Sequence, residues 1–227
     1  MAKVKGARIA IVHATRNSLQ PIMDAFAKLW PEAEPINLLD ESLLIDRQLA
    51  GELTPELSAR IATLARHGEA IGGRCVLFSC SAFGAAIEAA GAELSVPVLR
   101  AYEAMIERAL EIGPRLGLVA TFQPTIDEMT VEIEAAAKAR GIAVVIDPIL
   151  AEGALDALGR DDHETHDAKV VEAALKLPKK CDVVLLAQYS MAPMHARIEK
   201  LTKHPTLSSP ACAVEKIKGV LSGATGR

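Results

Sequence analysis

Cys80 closes an apolar run, Cys75-Val76-Leu77-Phe78, and sits between two serines in Phe78-Ser79-Cys80-Ser81-Ala82-Phe83-Gly84. A thiolate there would be a base or a nucleophile, and a place at a helix N-terminus draws a thiol below its free pKa of about 8.5. Taking a proton from carbon beside a carboxylate moves negative charge onto that carboxylate. Preorganised backbone N–H groups and hydroxyls hold such charge best. Three stretches supply them: His13-Ala14-Thr15-Arg16-Asn17-Ser18, Ser79-Cys80-Ser81-Ala82 and Thr121-Phe122-Gln123-Pro124-Thr125. After a second apolar run comes Leu185-Leu186-Ala187-Gln188-Tyr189-Ser190-Met191-Ala192, with a glutamine where a second thiol would be sought. Gln188 cannot exchange a proton with carbon, but its amide can donate to a carboxylate or a carbonyl.

The remaining candidates have plainer readings. Cys75 and Cys181 lie inside or at the start of apolar runs, where a thiol behaves as a small hydrophobe. Cys212 falls near a helix start and reads as a core or surface thiol, the alternative being a last-loop cysteine that reaches the site. His163 and His166, with Asp161, Asp162 and Asp167, have the look of a metal cluster. They lack a distant matching ligand set, so a solvated loop and helix cap is the better reading and no metal is expected. Arg16 and Arg100 suit a substrate carboxylate, yet surface pairing is as common for arginine. Asn17 and Thr121 also fit turn and cap positions. Gly72-Gly73 marks a loop and not a phosphate cradle.

The elements that must position these residues alternate along the chain. ARIAIVHA (7–14) precedes a helix beginning near Gln20. EPINLL (34–39) precedes a helix over Pro55–His67, with Thr54 as its N-cap. RCVLFSC (74–80) and VPVLRA (96–101) each lead into a helical pattern. RLGLVA (115–120) precedes a helix near 125–140, and IAVVIDP (142–148) one around Asp167–Leu177. CDVVLLAQ (181–188) and HPTLSSP (204–210) follow. Strand alternating with helix predicts an α/β fold with mostly parallel sheets.

The chain also repeats itself. RIAIV at Arg8 matches RLGLV at Arg115, an offset of 115 − 8 = 107, and QPIMDA at Gln20 matches QPTIDE at Gln123, an offset of 103. Pro97 matches Pro205 at 108, and Cys80 matches Gln188 at the same 108. A period near half the length predicts two pseudo-symmetric α/β subdomains, approximately 1–110 and 111–227, the tail packing back on the first. Ligands in parallel sheets sit beyond the carboxyl ends of strands, so Cys80 and Gln188 are expected to face one shared cleft.

Composition narrows the partners. The 227 residues are 50% hydrophobic and 24% charged with a net charge of −4, which gives no electrostatic reason to expect nucleic acid or an anionic membrane. No stretch approaches the roughly 18 to 20 apolar residues of a membrane span, and the N-terminus has no signal-like h-region. Four cysteines without a CxxC pair read as reduced thiols of a cytoplasmic protein.

Taken together, these stretches resemble the aspartate/glutamate racemase superfamily, which includes hydantoin racemases, maleate isomerase and arylmalonate decarboxylase. The resemblance runs nearly the full length, through VLFSCSAFG around Cys80, GLVATFQPT (117–125), DVVLLAQYSMA (182–192), VPVLRAYEAM and HPTLSSP. It implies two subdomains, each a four-stranded parallel sheet flanked by helices, with the active site in the cleft between them, and a homo-oligomer. It implies a cofactor-independent enzyme acting on a small carboxylate or amide: an amino acid, a hydantoin or a dicarboxylate. Its racemases use one cysteine per half. Cys80 matches the first, as the catalytic residue, and Gln188 replaces the second. Thr15, Asn17, Ser81, Thr121, Gln188, Tyr189 and Ser190 are the substrate-binding positions the resemblance implies. A racemase or isomerase working through Cys80 is the leading expectation, a single-cysteine lyase or decarboxylase the alternative, and a non-catalytic small-molecule binder the second alternative.

Overall fold

A computed structural model of the chain describes residues 6–223. The chain divides into two compact units, one drawn from residues up to Ala104 together with those from Ala213 onward, the other Met105–Cys212. The first unit contains β1 (Arg8–His13), α1 (Leu19–Leu29), β2 (Glu34–Leu39), α2 (Ser42–Ala50), α3 (Pro55–Ala70), β3 (Val76–Phe78), α4 (Gly84–Glu93) and β4 (Val98–Leu99). After α5 (Glu103–Ile112), the second unit runs β5 (Arg115–Ala120), α6 (Gln123–Ala139), β6 (Val145–Leu150), α7 (Ala154–Gly159), α8 (His163–Ala174), β7 (Val183–Leu186), α9 (His195–Thr202) and β8 (Thr206–Ser208). Helix α10 (Ser209–Ser222) carries the chain back to the first unit, where Lys216 Nζ meets Glu103 Oε1 at 2.9 Å and Lys218 Nζ donates to the Leu29 carbonyl at 2.9 Å.

Each unit holds one four-stranded, all-parallel sheet, ordered β2-β1-β3-β4 in the first and β6-β5-β7-β8 in the second. The α/β class, the two parallel sheets and the internal repeat expected from the sequence are therefore present. The central strands β1, β3, β5 and β7 are apolar without alternation because helices cover both faces. Each outer strand β2 and β6 carries a proline, Pro35 and Pro148, and proline in a sheet is confined to edges because it has no N–H to give a second neighbour.

The cores form where helical stripes meet these strands. In the first unit Val12, Val76 and Phe78 pack with Leu57, Ile61 and Ala65 of α3 and Ile87 of α4. In the second, Val119, Val184 and Leu186 pack with Val170 and Ala174 of α8 and Ile198 of α9. Thr54 caps α3 as expected, its Oγ1 accepting from Leu57 N at 3.3 Å with Pro55 in the first turn. Gly117 lets β5 approach its cover closely: a Cβ there would lie 2.7 Å from Leu177 Cδ1 and 3.1 Å from Cys181 Sγ.

Some helices differ from the sequence reading. Helix α8 starts at His163, not near Asp167, because Asp162 Oδ1 accepts from Thr165 N at 3.0 Å and caps it. Helix α2 escapes the pattern because it buries only Leu43, leaving Ile45 and Leu49 exposed. Helices α7 and α9 have six and eight residues, too few to display a period.

Candidate functional site

In the first unit, β1 and β3 are neighbours in register, Val12 opposite Phe78, so the residues that follow each strand emerge side by side. Ser79 N donates to the Val12 carbonyl at 3.0 Å, and Cys80 is the next residue, partly exposed. Beneath it lies a buried polar cluster. His13 is fully buried; its Nε2 stands 2.9 Å from Asn37 Oδ1, and its Nδ1 2.8 Å from both Ser18 Oγ and Ser79 Oγ. Because the Asn37 oxygen only accepts, Nε2 carries the proton and Nδ1 receives the Ser79 hydroxyl, while Ser18 Oγ donates to the Thr15 carbonyl at 3.0 Å. Burial pushes the His13 pKa below its ordinary value, against the upward pull of the Asn37 hydrogen bond. Neutral imidazole thus links β1, β2 and β3 just below the thiol.

The loop around Cys80 is fastened from both sides. Gly84 N donates to the Ser81 carbonyl at 3.1 Å, and Arg47 Nε of α2 donates to the Ala82 carbonyl at 3.4 Å. Helix α4 begins only at Gly84, so Cys80 precedes the first helical residue by a full turn instead of standing at its N-terminus. Thr15 opens the short 3₁₀ turn Arg16–Ser18, and Asn17 is exposed on that turn. Arg16 is engaged by Glu41, at 2.7 Å and 2.9 Å, and Arg100 Nε lies 3.8 Å from Glu103 Oε2.

The second unit repeats the geometry with other side chains. Val119 pairs with Leu186, and two residues beyond each stand Thr121 and Gln188. Gln188 Oε1 accepts from Thr121 N at 3.0 Å. That bond fixes the amide orientation, so Nε2 faces away as a donor. Gln188 Nε2 and Thr121 Oγ1 are both buried, and neither has a hydrogen-bond partner among the described residues. Tyr189 is buried beside them, and Ser190 Oγ lies 3.5 Å from His166 Nε2 of α8. Cys80 follows β3 by two residues and Gln188 follows β7 by two, the same place in each sheet.

The other thiols are core residues, as expected for Cys75 and Cys181. Burial pushes Cys75 up to about 12, with the Glu103 charge adding to it, and burial also raises Cys181, whose Sγ donates to the Val183 carbonyl at 2.9 Å. Cys212 is buried within α10, and no cysteine is in a disulfide. Among the described residues, no group of three His, Cys, Asp or Glu side chains is placed to hold a metal. His163 pairs with Asp161 at 3.0 Å on the surface, whereas His166, read from sequence as part of a solvated stretch, is 1% exposed with Nδ1 2.8 Å from Asp167 Oδ1. The sequence reading missed the cluster of His13, Ser18, Asn37 and Ser79 and the burial of His166. For His13 the signal was a histidine ending an apolar strand; for His166 it was its i+4 spacing to Val170 on the α8 core face. No described helix is long and apolar enough to cross a membrane.

Comparison with known proteins follows the same lines. The family model of the Asp/Glu/hydantoin racemases matches residues 12–217. Among solved structures, allantoin racemase from Klebsiella pneumoniae superposes with a TM-score of 0.70 at 14% identity, covering 96% of this chain and 89% of that one. Glutamate racemase from Bacillus anthracis gives 0.70 at 14% identity over 97% and 84%. A variant of arylmalonate decarboxylase gives 0.65 at 17% identity over 97% and 95%. No curated protein matches the sequence.

Proposed function

From the premise that this chain belongs to the Asp/Glu/hydantoin racemase family, we propose that it moves a proton at a carbon next to a carboxylate or carbonyl of a small amino acid, hydantoin or dicarboxylate. Cys80 is the thiolate that takes or returns the proton, and no metal or organic cofactor takes part. Gln188 Nε2 and Thr121 Oγ1 are donors for the oxygen that gains charge as the carbon–hydrogen bond breaks, with Thr15, Ser81, Tyr189 and Ser190 completing the binding set. Asn17, exposed on its turn, has the weakest claim.

The observation that carries this reading is the pair of buried donors with no partner among the described residues, Gln188 Nε2 and Thr121 Oγ1. Leaving a buried polar group unpaired costs about 1–3 kcal/mol. An oxyanion supplied by substrate removes that cost and gains most as the charge grows. Glutamine at this place gives a donor where a thiol would have given a base.

One feature favours a second reading. With Gln188 in place of a thiol, one-sided protonation after carbon–carbon cleavage is within reach, as a decarboxylase requires. Incubating separate enantiomers of glutamate, aspartate and allantoin, and phenylmalonate, in D2O distinguishes the two by NMR. The racemase reading expects deuterium at the stereocentre of at least one substrate with every carbon retained, and loss of that exchange in Cys80→Ala. Loss of carbon dioxide from phenylmalonate without such exchange assigns the lyase. Exchange undiminished in Cys80→Ala refutes the role of the thiol under either reading.

A further inference from the structure

We propose that Asp167, His166 and Ser190 form a nucleophilic triad within the second unit, which takes the acyl group of an ester of a small carboxylic acid onto Ser190 and passes it to water. This activity goes beyond the racemase reading and needs no residue of the first unit.

His166 lies on the core face of α8 with 1% of its side chain exposed. Its Nδ1 is 2.8 Å from Asp167 Oδ1, and its Nε2 is 3.5 Å from Ser190 Oγ. The carboxylate only accepts, so Nδ1 carries the hydrogen and Nε2 offers its lone pair to the serine hydroxyl, the tautomer a general base needs. A long hydrogen bond between nucleophile and base is usual before substrate binds. Ser190 is partly exposed on the 3₁₀ turn that follows β7, whereas the imidazole behind it is buried. Thr121 and Gln188 follow the neighbouring strands β5 and β7, at the same end of the sheet as Ser190. Gln188 Nε2 and Thr121 Oγ1, buried with no partner among the described residues, are two donors for a carbonyl oxygen on its way to an oxyanion. The first unit gives the contrast of a closed cluster. His13 has neutral partners on both nitrogens, Asn37 on one and Ser18 and Ser79 on the other, and those two serines are themselves buried. Only the second unit sets a carboxylate behind the ring and a partly exposed hydroxyl in front of it.

The steps balance with water as the one co-reactant. Ser190 Oγ bonds to the ester carbonyl carbon as its proton passes to His166 Nε2, and the carbonyl oxygen takes the negative charge. The bond from carbon to the alcohol oxygen then breaks, and that oxygen leaves with the proton from Nε2, giving acyl-Ser190. Water attacks the same carbon, gives a proton to Nε2, and the bond to Ser190 Oγ breaks as Oγ recovers that proton. The products are a carboxylic acid and an alcohol, and nothing is oxidised or reduced. Ser190 and His166 touch the reacting atoms and are catalytic residues. Asp167 is a positioning residue, which holds the ring and steadies the imidazolium that forms twice per cycle. The other inward residues of α8, such as Val170 and Ala174, are apolar, and a polar ring among them costs free energy unless both nitrogens are engaged.

The test applies two probes to the whole chain, diisopropyl fluorophosphate and p-nitrophenyl acetate, and locates the quenched adducts by peptide mass mapping. Folded wild type should carry the diisopropylphosphoryl group on Ser190, and protein unfolded in urea should not, because an isolated serine hydroxyl is a weak nucleophile. p-Nitrophenyl acetate should release p-nitrophenolate with turnover, and Ser190→Ala should lose the part of that release which diisopropyl fluorophosphate blocks. His166→Gln should slow phosphorylation of Ser190 by about 100-fold or more. Asp167→Asn should lower kcat for p-nitrophenyl acetate with KM nearly unchanged, and Asp167→Glu should recover part of the loss. The first measurement is made on wild type, so a variant that fails to fold does not remove it. Adducts confined to Cys80, lysines or other side chains overturn the proposal, and so does a Ser190 adduct that forms equally fast in His166→Gln. Wild-type kcat in Asp167→Asn refutes the part given to the carboxylate. These labels are silent on deuterium exchange at carbon, so failure here and failure of the racemase reading are told apart.

Discussion

Stability of the first unit should fall as pH drops from 7 to 5.5, and His13 should be the reason. The ring is fully buried, donates from Nε2 to Asn37 Oδ1 and receives the Ser79 hydroxyl at Nδ1. A second proton would desolvate a charge and force Ser79 to turn its hydroxyl away. Burial therefore sets the folded pKa below the ordinary 6.5. The sign follows from proton counting. Above 6.5 both folded and unfolded chains hold neutral imidazole and the contribution is complete. As pH falls below 6.5 the unfolded chain binds the proton first, so stability is lost toward acid. If His13 stays neutral throughout, the loss between pH 7 and 5.5 is about 1.2 kcal/mol, the largest value one such group can give.

Trp30 makes this measurable in the correct unit. It is the single tryptophan of the chain, 3% exposed, at the end of α1. Urea unfolding followed by its fluorescence, at a slope of about 2–3 kcal/mol/M, should show the midpoint falling by about 0.4–0.6 M between the two pH values. Other groups titrate as well, so the decisive quantity is the difference between wild type and His13→Gln. Depressed carboxylates such as Asp40, held low by Ser42 and Arg60 against burial, lose their contribution at lower pH and cancel in that difference. The stability advantage of wild type at pH 7 should shrink by about 1 kcal/mol at pH 5.5. Parallel curves for the two proteins would refute the buried neutral histidine.

Two further outcomes test the packing and the thiols. Gly117→Ala pushes a methyl to 2.7 Å from Leu177 Cδ1, so it should destabilise the second unit by about 1–3 kcal/mol, and combining it with Leu177→Ala in a double-mutant cycle should return part of that cost. Additive losses would show that the strand does not meet Leu177 there. Native protein treated with a thiol-reactive disulfide at pH 8 should show one fast equivalent, Cys80, and three slow ones, because Cys75, Cys181 and Cys212 are buried; Cys80→Ala should remove the fast phase, and a fast phase that persists would place the accessible thiol elsewhere.

Much of the fold was legible because its signals are local and repeated. Short apolar runs with β-branched residues, such as Val183–Leu186, read as strands covered on both faces, and the 107- and 108-residue offsets reappear as matching strand orders. Thr54-Pro55 announced α3 by cap chemistry alone. What escaped depends on contacts distant in sequence. Asn37 and His13 are 24 residues apart and meet only because β1 and β2 pair in register. Arg47 reaches the Ala82 carbonyl from a helix whose own pattern is too weak to notice. His166 was hidden by its neighbours: Asp161, Asp162 and His163 are exposed and gave the whole stretch a solvated look, while Asp162 caps a helix that turns His166 inward.

The broken symmetry between Cys80 and Gln188 extends below the surface, which bears on how the two units divide their work. In the first unit the buried histidine comes from the strand: His13 ends β1, and Ser79, directly before Cys80, completes its hydrogen bonds. At the matching places, 107 and 108 residues later, stand Ala120 and Ala187, which bury no polar group. The second unit brings its histidine from α8 instead, and the serine that meets it, Ser190, comes after Gln188 and not before. The two polar clusters are thus unrelated by the repeat although the backbones are. Residues that only supported a shared scaffold would be expected to persist at or near equivalent positions in both copies, as the edge prolines Pro35 and Pro148 do on the matching edge strands, two residues apart in register. Side chains that changed element altogether are better explained by what each loop must do: one presents a thiol above a buried imidazole, and the other presents an amide donor two residues before a hydroxyl that lies 3.5 Å from a buried imidazole.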